Sequence, residues 1–557
     1  MLAALALAPV VWVAPPDLKL RPSALPGTDQ AASLDAGRGE CADFQIAVRA
    51  GPEGLPDVTA DAGSFRPALG AHLSLAREVT LHLDRPSGPD GATGDWPDPL
   101  IPQVDAYVGE RRNAFPVSLA AGQLLAIWAE VCVPQGAPPG ERRASVVLES
   151  AGTGFAEVPV VLRVHRFAIP ATSTLPTSFG LSLPSLLAQH HPATPAEADA
   201  LLRRYAVAAL RHRLSLHALS LRPPPFTRGP GGLKLDFTGY DRELGPLLDG
   251  TAVRSGARFT STDVRLAPGL ATDAEKIAYL RATAEHLRSR GWLDRAFLYA
   301  ADEPSPPDFP KVVALARLAH EADPELRVLV TVPLQRALEG SVDIWTVNVN
   351  CLVVKDDPAE FCPLRAPFAD YAPRLRGGES LWWYLSCSSH GCGGAIPRSA
   401  RDYFRGWPDL VIDVPGSRNR AMGPLAYRYG IEGELYYDTV GAYRDGDPWR
   451  SVYRFGGNGD GTLFYPGTPD RIGGRTDVPV ESIRLELVRD GLQDFEELAL
   501  ARKLGEGAFA DRLAAEWVPS ATEVDVTPAR RIALRAQLLE RLDVAWREPV
   551  VAAGPSR

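Results

Sequence analysis

Apolar and polar residues alternate along the first third of the chain. Phe44-Gln45-Ile46-Ala47-Val48-Arg49 shows the rhythm, as do parts of 124–133, 144–148 and 158–164. Side chains alternate sides along a strand, so this spacing predicts strands with one buried face. Turn signals at Gly51-Pro52 and across 135–140 separate them. Short strands with frequent turns predict an N-terminal β-sandwich over 17–170. Residues 94–102, with prolines at 97, 99 and 102, read as a pinned loop inside it.

After a linker at 170–176 the rhythm changes. Strand-like segments at 177–183, 214–219, 257–264, 296–301, 327–332, 344–353, 380–387 and 433–437 alternate with helical ones. Residues 195–212 carry Leu201, Leu202, Tyr205, Ala208 and Ala209 at helical spacing, after a Thr194-Pro195 start signal. Residues 273–289 and 310–322 repeat the pattern. Eight strands interleaved with helices predict a (β/α)8 TIM-like barrel over 177–505. Asn458-Gly459 and Asp460-Gly461 mark a loop or hairpin above it. A closing helix at 481–503 follows, then a C-terminal helical extension over 506–557 with its last helical stretch at 517–547. The fold class is multidomain β plus α/β.

Composition changes this picture little. The 557 residues allow two or three domains. A net charge of −9 argues against a nucleic-acid partner. The apolar run 2–13, before Ala14-Pro15-Pro16, is too short to span a bilayer. It resembles a signal-peptide core without the positive leader, so 1–16 is expected to be a truncated signal segment. A plain strand at 10–13 explains the run equally well. No other segment reads as membrane-spanning. Cys41 and Cys132 fall in the first third, and Cys351, Cys362, Cys387 and Cys392 cluster later. That split permits disulfides within each domain and supports export to the periplasm, cell surface or medium. It fixes no pairing. No metal or cofactor motif is present, and none is expected.

The chemistry concentrates where the strand 296–301 ends in Asp302-Glu303-Pro304. Proline cannot continue a central ladder, and barrel enzymes keep their catalytic groups at strand C-termini. Asp302 and Glu303 are therefore the catalytic candidates. Helix capping is the bland alternative for the same pair. Most retaining glycosidases need a second carboxylate across the site. The seventh strand supplies none, because Trp382-Trp383-Tyr384 fills it and Glu379 lies at its entry. Asp438, and then Asp356 and Asp357, are the nearest substitutes. An acid pair without a distant nucleophile suits substrate-assisted hydrolysis, in which the sugar's own 2-acetamido oxygen attacks the anomeric carbon. Trp382, Trp383, Tyr384, Tyr436, Tyr437, Asn348 and His217 are the substrate-binding candidates, with Trp345 and Asn350 behind them.

Several segments together resemble glycoside hydrolase family 123 and its relatives. They are Phe297-Leu298-Tyr299 through Asp302-Glu303-Pro304, Trp382-Trp383-Tyr384, residues 459–467 and residues 482–491. Glu40 to Phe44-Gln45 and the 96–102 segment resemble that family's N-terminal β-domain. The resemblance spans about 17–505. It implies a sandwich followed by a barrel, and a glycan or glycoconjugate substrate. It also implies a retaining β-N-acetylgalactosaminidase or β-N-acetylhexosaminidase in which Asp302 orients the acetamido group and Glu303 is the acid/base. Arg and Asp residues of 482–491 are expected to brace the barrel by ion pairs. Two other readings stay open. One is a non-catalytic glycan-binding or cell-surface protein on the same fold. The other is a glycosidase for non-acetamido sugars with Asp438 as nucleophile.

Overall fold

The computed structural model describes residues 8–63, 72–218, 223–353, 355, 362–387, 392 and 403–547. Ten strands form the N-terminal part: β1 (Val10–Ala14), β2 (Ala32–Arg38), β3 (Cys41–Arg49), β4 (Leu55–Asp61), β5 (His72–Leu83), β6 (Gly94–Pro102), β7 (Val117–Leu119), β8 (Leu124–Cys132), β9 (Gly140–Ser150) and β10 (Thr153–Ala168). They pair as two five-stranded sheets, β1-β3-β8-β5-β6 and β2-β10-β9-β4-β7. Phe44, Ile46, Val48 and Ile127 of one sheet share a core with Val146, Leu148, Val160 and Leu162 of the other. The alternating apolar positions read in the sequence are the ones that meet there.

Residues 94–102 are not a loop. They form β6, paired antiparallel with β5 through a register irregularity. Its prolines are tolerated because β6 is the last strand of its sheet, where a missing N–H breaks no second ladder. The apolar run near the N-terminus contains β1, which pairs along its whole length with β3.

The C-terminal part holds eight parallel strands: Thr177–Gly180, Leu216–His217, Thr262–Val264, Ala296–Ala301, Arg327–Val330, Ile344–Asn348, Ser380–Tyr384 and Gly433–Tyr436. Called first to eighth in chain order, they lie 2-1-8-7-6-5-4-3 in one sheet. Side chains bridge the seam between the second and third: Ala218 N–H donates to Asp263 Oδ1 (2.9 Å) and Thr260 N–H to Ser215 Oγ (2.7 Å). The barrel is thus nearly closed, of the TIM-like kind.

Most strands are shorter than the apolar runs that announced them. The sixth stops at Asn348, whose side chain caps a helical turn at Val349–Leu352. Helices occur at Pro195–Arg211, Asp273–Ser289 and Phe309–Ala322, and the closing helix is Ile483–Ala501. The C-terminal extension is two helices, Gly507–Trp517 and Pro528–Ala545, rather than one stretch over 517–547. Thr527 caps the second and Pro528 occupies its first turn, which fixes the restart. Above the barrel, Tyr453–Arg454 and Gly457–Asn458 form a small hairpin, and Phe464–Gly467 pairs with Val478–Glu481. The hairpin turns at Phe455-Gly456, not at the Asn-Gly or Asp-Gly pairs.

The closing helix is buried on nearly all sides although it is rich in charge. Its charges are paired. Arg484 forks onto Asp98 of β6 (2.9 and 2.7 Å), and Arg489 reaches Asp43 of β3 and Glu130 of β8. These ion pairs tie barrel to sheet, a wider role than bracing the barrel. Cys41–Cys132 joins directly paired residues of β3 and β8, and Cys351–Cys362 and Cys387–Cys392 lie beyond the sixth and seventh strands.

Candidate active site

Strand pleating divides the barrel residues into two sets. Phe297, Tyr299, Leu329, Ile344, Trp382, Tyr384 and Leu435 cluster inside. Leu298, Val328, Val347, Leu381, Trp383 and Tyr436 pack outward into the core shared with the helices. The fourth strand ends at Ala301, and Asp302 and Glu303 follow, both exposed. Glu303 has φ +45°, the left-handed region. That conformation costs a non-glycine residue about 1–2 kcal/mol. Such strain collects at functional sites, where the surroundings impose it.

Thr331, just past the fifth strand, fixes both acids. Its Oγ1 accepts the Glu303 N–H (2.7 Å) and donates to Asp302 Oδ1 (3.0 Å). Tyr299 O–H also donates to Asp302 Oδ1 (2.8 Å). From the seventh strand, Tyr384 O–H reaches across the mouth to Glu303 Oε1 (2.5 Å). Burial, followed by the Glu303 charge, raises the Tyr384 pKa well above the ordinary phenol value, so it stays a donor at neutral pH. On the helix side of the acids, an opening of about 260 Å³ lies between Asp302, Glu303 and Pro304 and the helix residues Lys311, Val312 and Leu315.

The other candidates divide. Asn348 ends the sixth strand directly beside Tyr384 in register. His217 is buried in the second strand, its Nδ1 3.1 Å from Ser178 Oγ and its ring edge-on to Tyr299 at 6.3 Å. Burial lowers its pKa, so it is neutral at pH 7. Tyr437 sits at the C-terminal end of the eighth strand, partly exposed. Three expectations need correction. Trp382 lies inside the barrel but is packed edge-on against Phe297 (6.0 Å) over Gly433, where a Cβ would strike its ring. Trp383 is fully buried on the helix side, near Tyr429. Tyr436 is likewise buried, its hydroxyl donating to Asp460 and accepting from Gly461 N–H. The pleat turns one face of an aromatic run away from the mouth, and the barrel's inner layers take up the rest. Trp345 donates to Glu379 instead of facing the site, and Asn350 is buried with its N–H on Asn348 Oδ1.

Asp438 is held by its neighbours, its Oδ1 accepting Thr439 and Val440 N–H. Burial pushes its pKa up to about 6. Asp356 and Asp357 lie outside the described residues. Among the described residues, both clusters with metal-ligand spacing, at Cys41–Glu130–Cys132 and Cys387–Cys392–Asp409, spend their sulfurs in disulfides. Sequence reasoning missed Tyr299 and Thr331. Tyr299 was legible, since it shares the inward parity of Phe297. Thr331 is a lone hydroxyl in an apolar run and gave no signal.

A parallel barrel with an acid pair at a strand C-terminus is the frame of a barrel glycoside hydrolase. Residues 274–501 match the family model described as glycoside hydrolase 123, catalytic domain. Over that stretch, which includes both acids, the chain is similar to glycoside hydrolase family 123. No curated protein matches it in sequence. Among solved structures it is similar to a family 123 glycoside hydrolase from Clostridium perfringens, studied for glycolipid glycan hydrolysis. The two are 13% identical, the match covers 96% of this chain and 98% of that one, and the TM-score is 0.65. That likeness shows the fold. A family 39 glycoside hydrolase from Bacteroides cellulosilyticus also aligns, at 10% identity over 84% of this chain and 82% of that one, with a TM-score of only 0.33.

Proposed function

We propose that this protein is a retaining exo-β-N-acetylgalactosaminidase or β-N-acetylhexosaminidase that works by substrate-assisted catalysis. The observation that carries the reading is the way the two acids are presented. Both leave one strand end exposed, yet each has its own donor, Tyr299 and Thr331 for Asp302 and Tyr384 for Glu303. Two hydroxyls occupy Asp302 Oδ1 and leave Oδ2 open to accept an acetamido N–H. That contact would orient the amide oxygen toward the anomeric carbon. Glu303 would protonate the leaving oxygen and then take a proton from water, which opens the oxazolinium and restores the β-configuration. No acid in the seventh strand stands ready as a separate nucleophile. The three disulfides support an exported protein.

The test is p-nitrophenol release from the β-N-acetylgalactosaminide, the β-N-acetylglucosaminide and the β-galactoside. Turnover should be confined to the acetamido sugars. Glu303→Gln and Asp302→Asn should each lower kcat by about 10²–10⁴-fold. Turnover of the plain galactoside would sink the mechanism and redirect attention to Asp438. Binding without any turnover, shown on a glycan array, would favour the non-catalytic reading.

A further inference from the structure

The small hairpin above the eighth strand turns on two residues, Phe455 (φ +46°) and Gly456 (φ +91°). A two-residue turn with both φ positive calls for Asn or Gly at its first position. A phenylalanine there is a genuine conformational outlier. Burial does not offset it, because Phe455 is 56% exposed. The ring is nevertheless supported. Tyr437 lies 5.8 Å from it, and the Arg454 guanidinium sits 4.6 Å over its centre. Arg454 is itself anchored to Gly441 O (2.6 Å) and Asp445 (2.7 Å). One side of the ring is braced and the rest is exposed, beside Tyr437 at the C-terminal end of the eighth strand.

Its position gives this a use. Tyr437 follows the eighth strand, next to the seventh, which carries Tyr384. The acids follow the fourth strand, four places away in the ring of eight. Eight strands about 4.8 Å apart and tilted about 36° close a ring roughly 15 Å across. That span is wider than one sugar ring. A sugar held beside the acids and Tyr384 would leave the rim at the eighth strand for the next unit.

We infer that Phe455, braced by Tyr437 and Arg454, is a stacking platform for the apolar face of a second pyranose, the leaving-group sugar of a β-linked glycan. Aromatic faces suit this role because ring C–H groups pack on them without hydrogen-bond demands. The inference rests on the glycosidase reading and extends it from a terminal sugar to a disaccharide.

The test uses the full chain carrying Glu303→Gln, which keeps substrate intact. Calorimetry would compare a β-N-acetylgalactosaminyl disaccharide with methyl β-N-acetylgalactosaminide, alone and with Phe455→Asn or Phe455→Tyr added. Asparagine accepts the left-handed turn, so a folded protein is expected, and a thermal melt verifies it. The disaccharide should bind about tenfold more tightly, a ratio equal to roughly 1.4 kcal/mol. Phe455→Tyr should keep that advantage and Phe455→Asn should erase it. Equal binding of both sugars, or an advantage that survives Phe455→Asn, overturns the platform while turnover by the unsubstituted protein leaves the glycosidase reading standing. No binding of either sugar together with no turnover overturns both.

Discussion

Thr331 is the smallest group at the site and it holds the geometry. One oxygen meets the backbone of Glu303 and the carboxylate of Asp302. Removing it frees a strained residue and loosens its neighbour together. Thr331→Val keeps the shape but loses both bonds, so kcat should fall by about 10²-fold with KM nearly constant, the cost of a displacement near 1 Å. Thr331→Ser should restore most of the rate, which a purely structural loss would not allow. The pair Asp302-Glu303 was legible because two charges after an apolar strand demand an explanation. The residues that aim them were less so. Tyr299 needed only a count by twos along the strand, whereas Thr331 comes from another strand and is brought close by the barrel's register.

Elements show the same division between local and distant information. Alternation is a local signal, so β3, β8 and the fourth barrel strand could be read from the chain. The 94–102 segment was misread because its prolines describe what β6 cannot donate. They say nothing of its place at a sheet edge. The hairpin turn at Phe455 was unreadable for a related reason, since no propensity places phenylalanine there. The helix Pro528–Ala545 carries a prediction of its own. It docks on β2 and β10 through His165, whose Nδ1 meets Asp543 (2.9 Å) and whose Nε2 meets Asp35 (3.0 Å). Arg163, Arg535 and Glu540 complete the charges around this contact. Burial alone would lower the His165 pKa, but the two carboxylates outweigh it and hold it above the usual value. A raised histidine stabilises the fold fully below its unfolded pKa of about 6.5 and ceases to do so as pH rises through the folded value. Thermal melts should therefore show stability falling as pH climbs above about 6.5. His165→Gln should flatten that part of the profile. Identical slopes in both proteins would refute the assignment.

At the scale of the molecule, buried ion pairs join sheet to barrel. Arg484 and Asp98 are both fully buried, one on the closing helix and one on β6. Stripping one partner from such a pair leaves an uncompensated charge, at a cost of about 3–5 kcal/mol. Arg484→Met should lower the unfolding free energy in urea by that much while fluorescence and circular dichroism still report a single transition. Two separated transitions would mean that the halves unfold independently. The family resemblance located these arginines without saying what they bind, because their partners lie hundreds of residues earlier in the chain.

That separation has a consequence in time. Asp17, Glu40 and Asp43 are buried acids whose partners are Arg531, Arg535 and Arg489. The acids leave the ribosome long before their counterions. At about 5–20 residues per second, a gap of this length lasts roughly 25–100 s. Throughout that interval the nascent sheet carries negative charge on the face destined to be covered. The sheet's burial is complete only when the helix Pro528–Ala545 has emerged and closed a circuit that begins at residue 17.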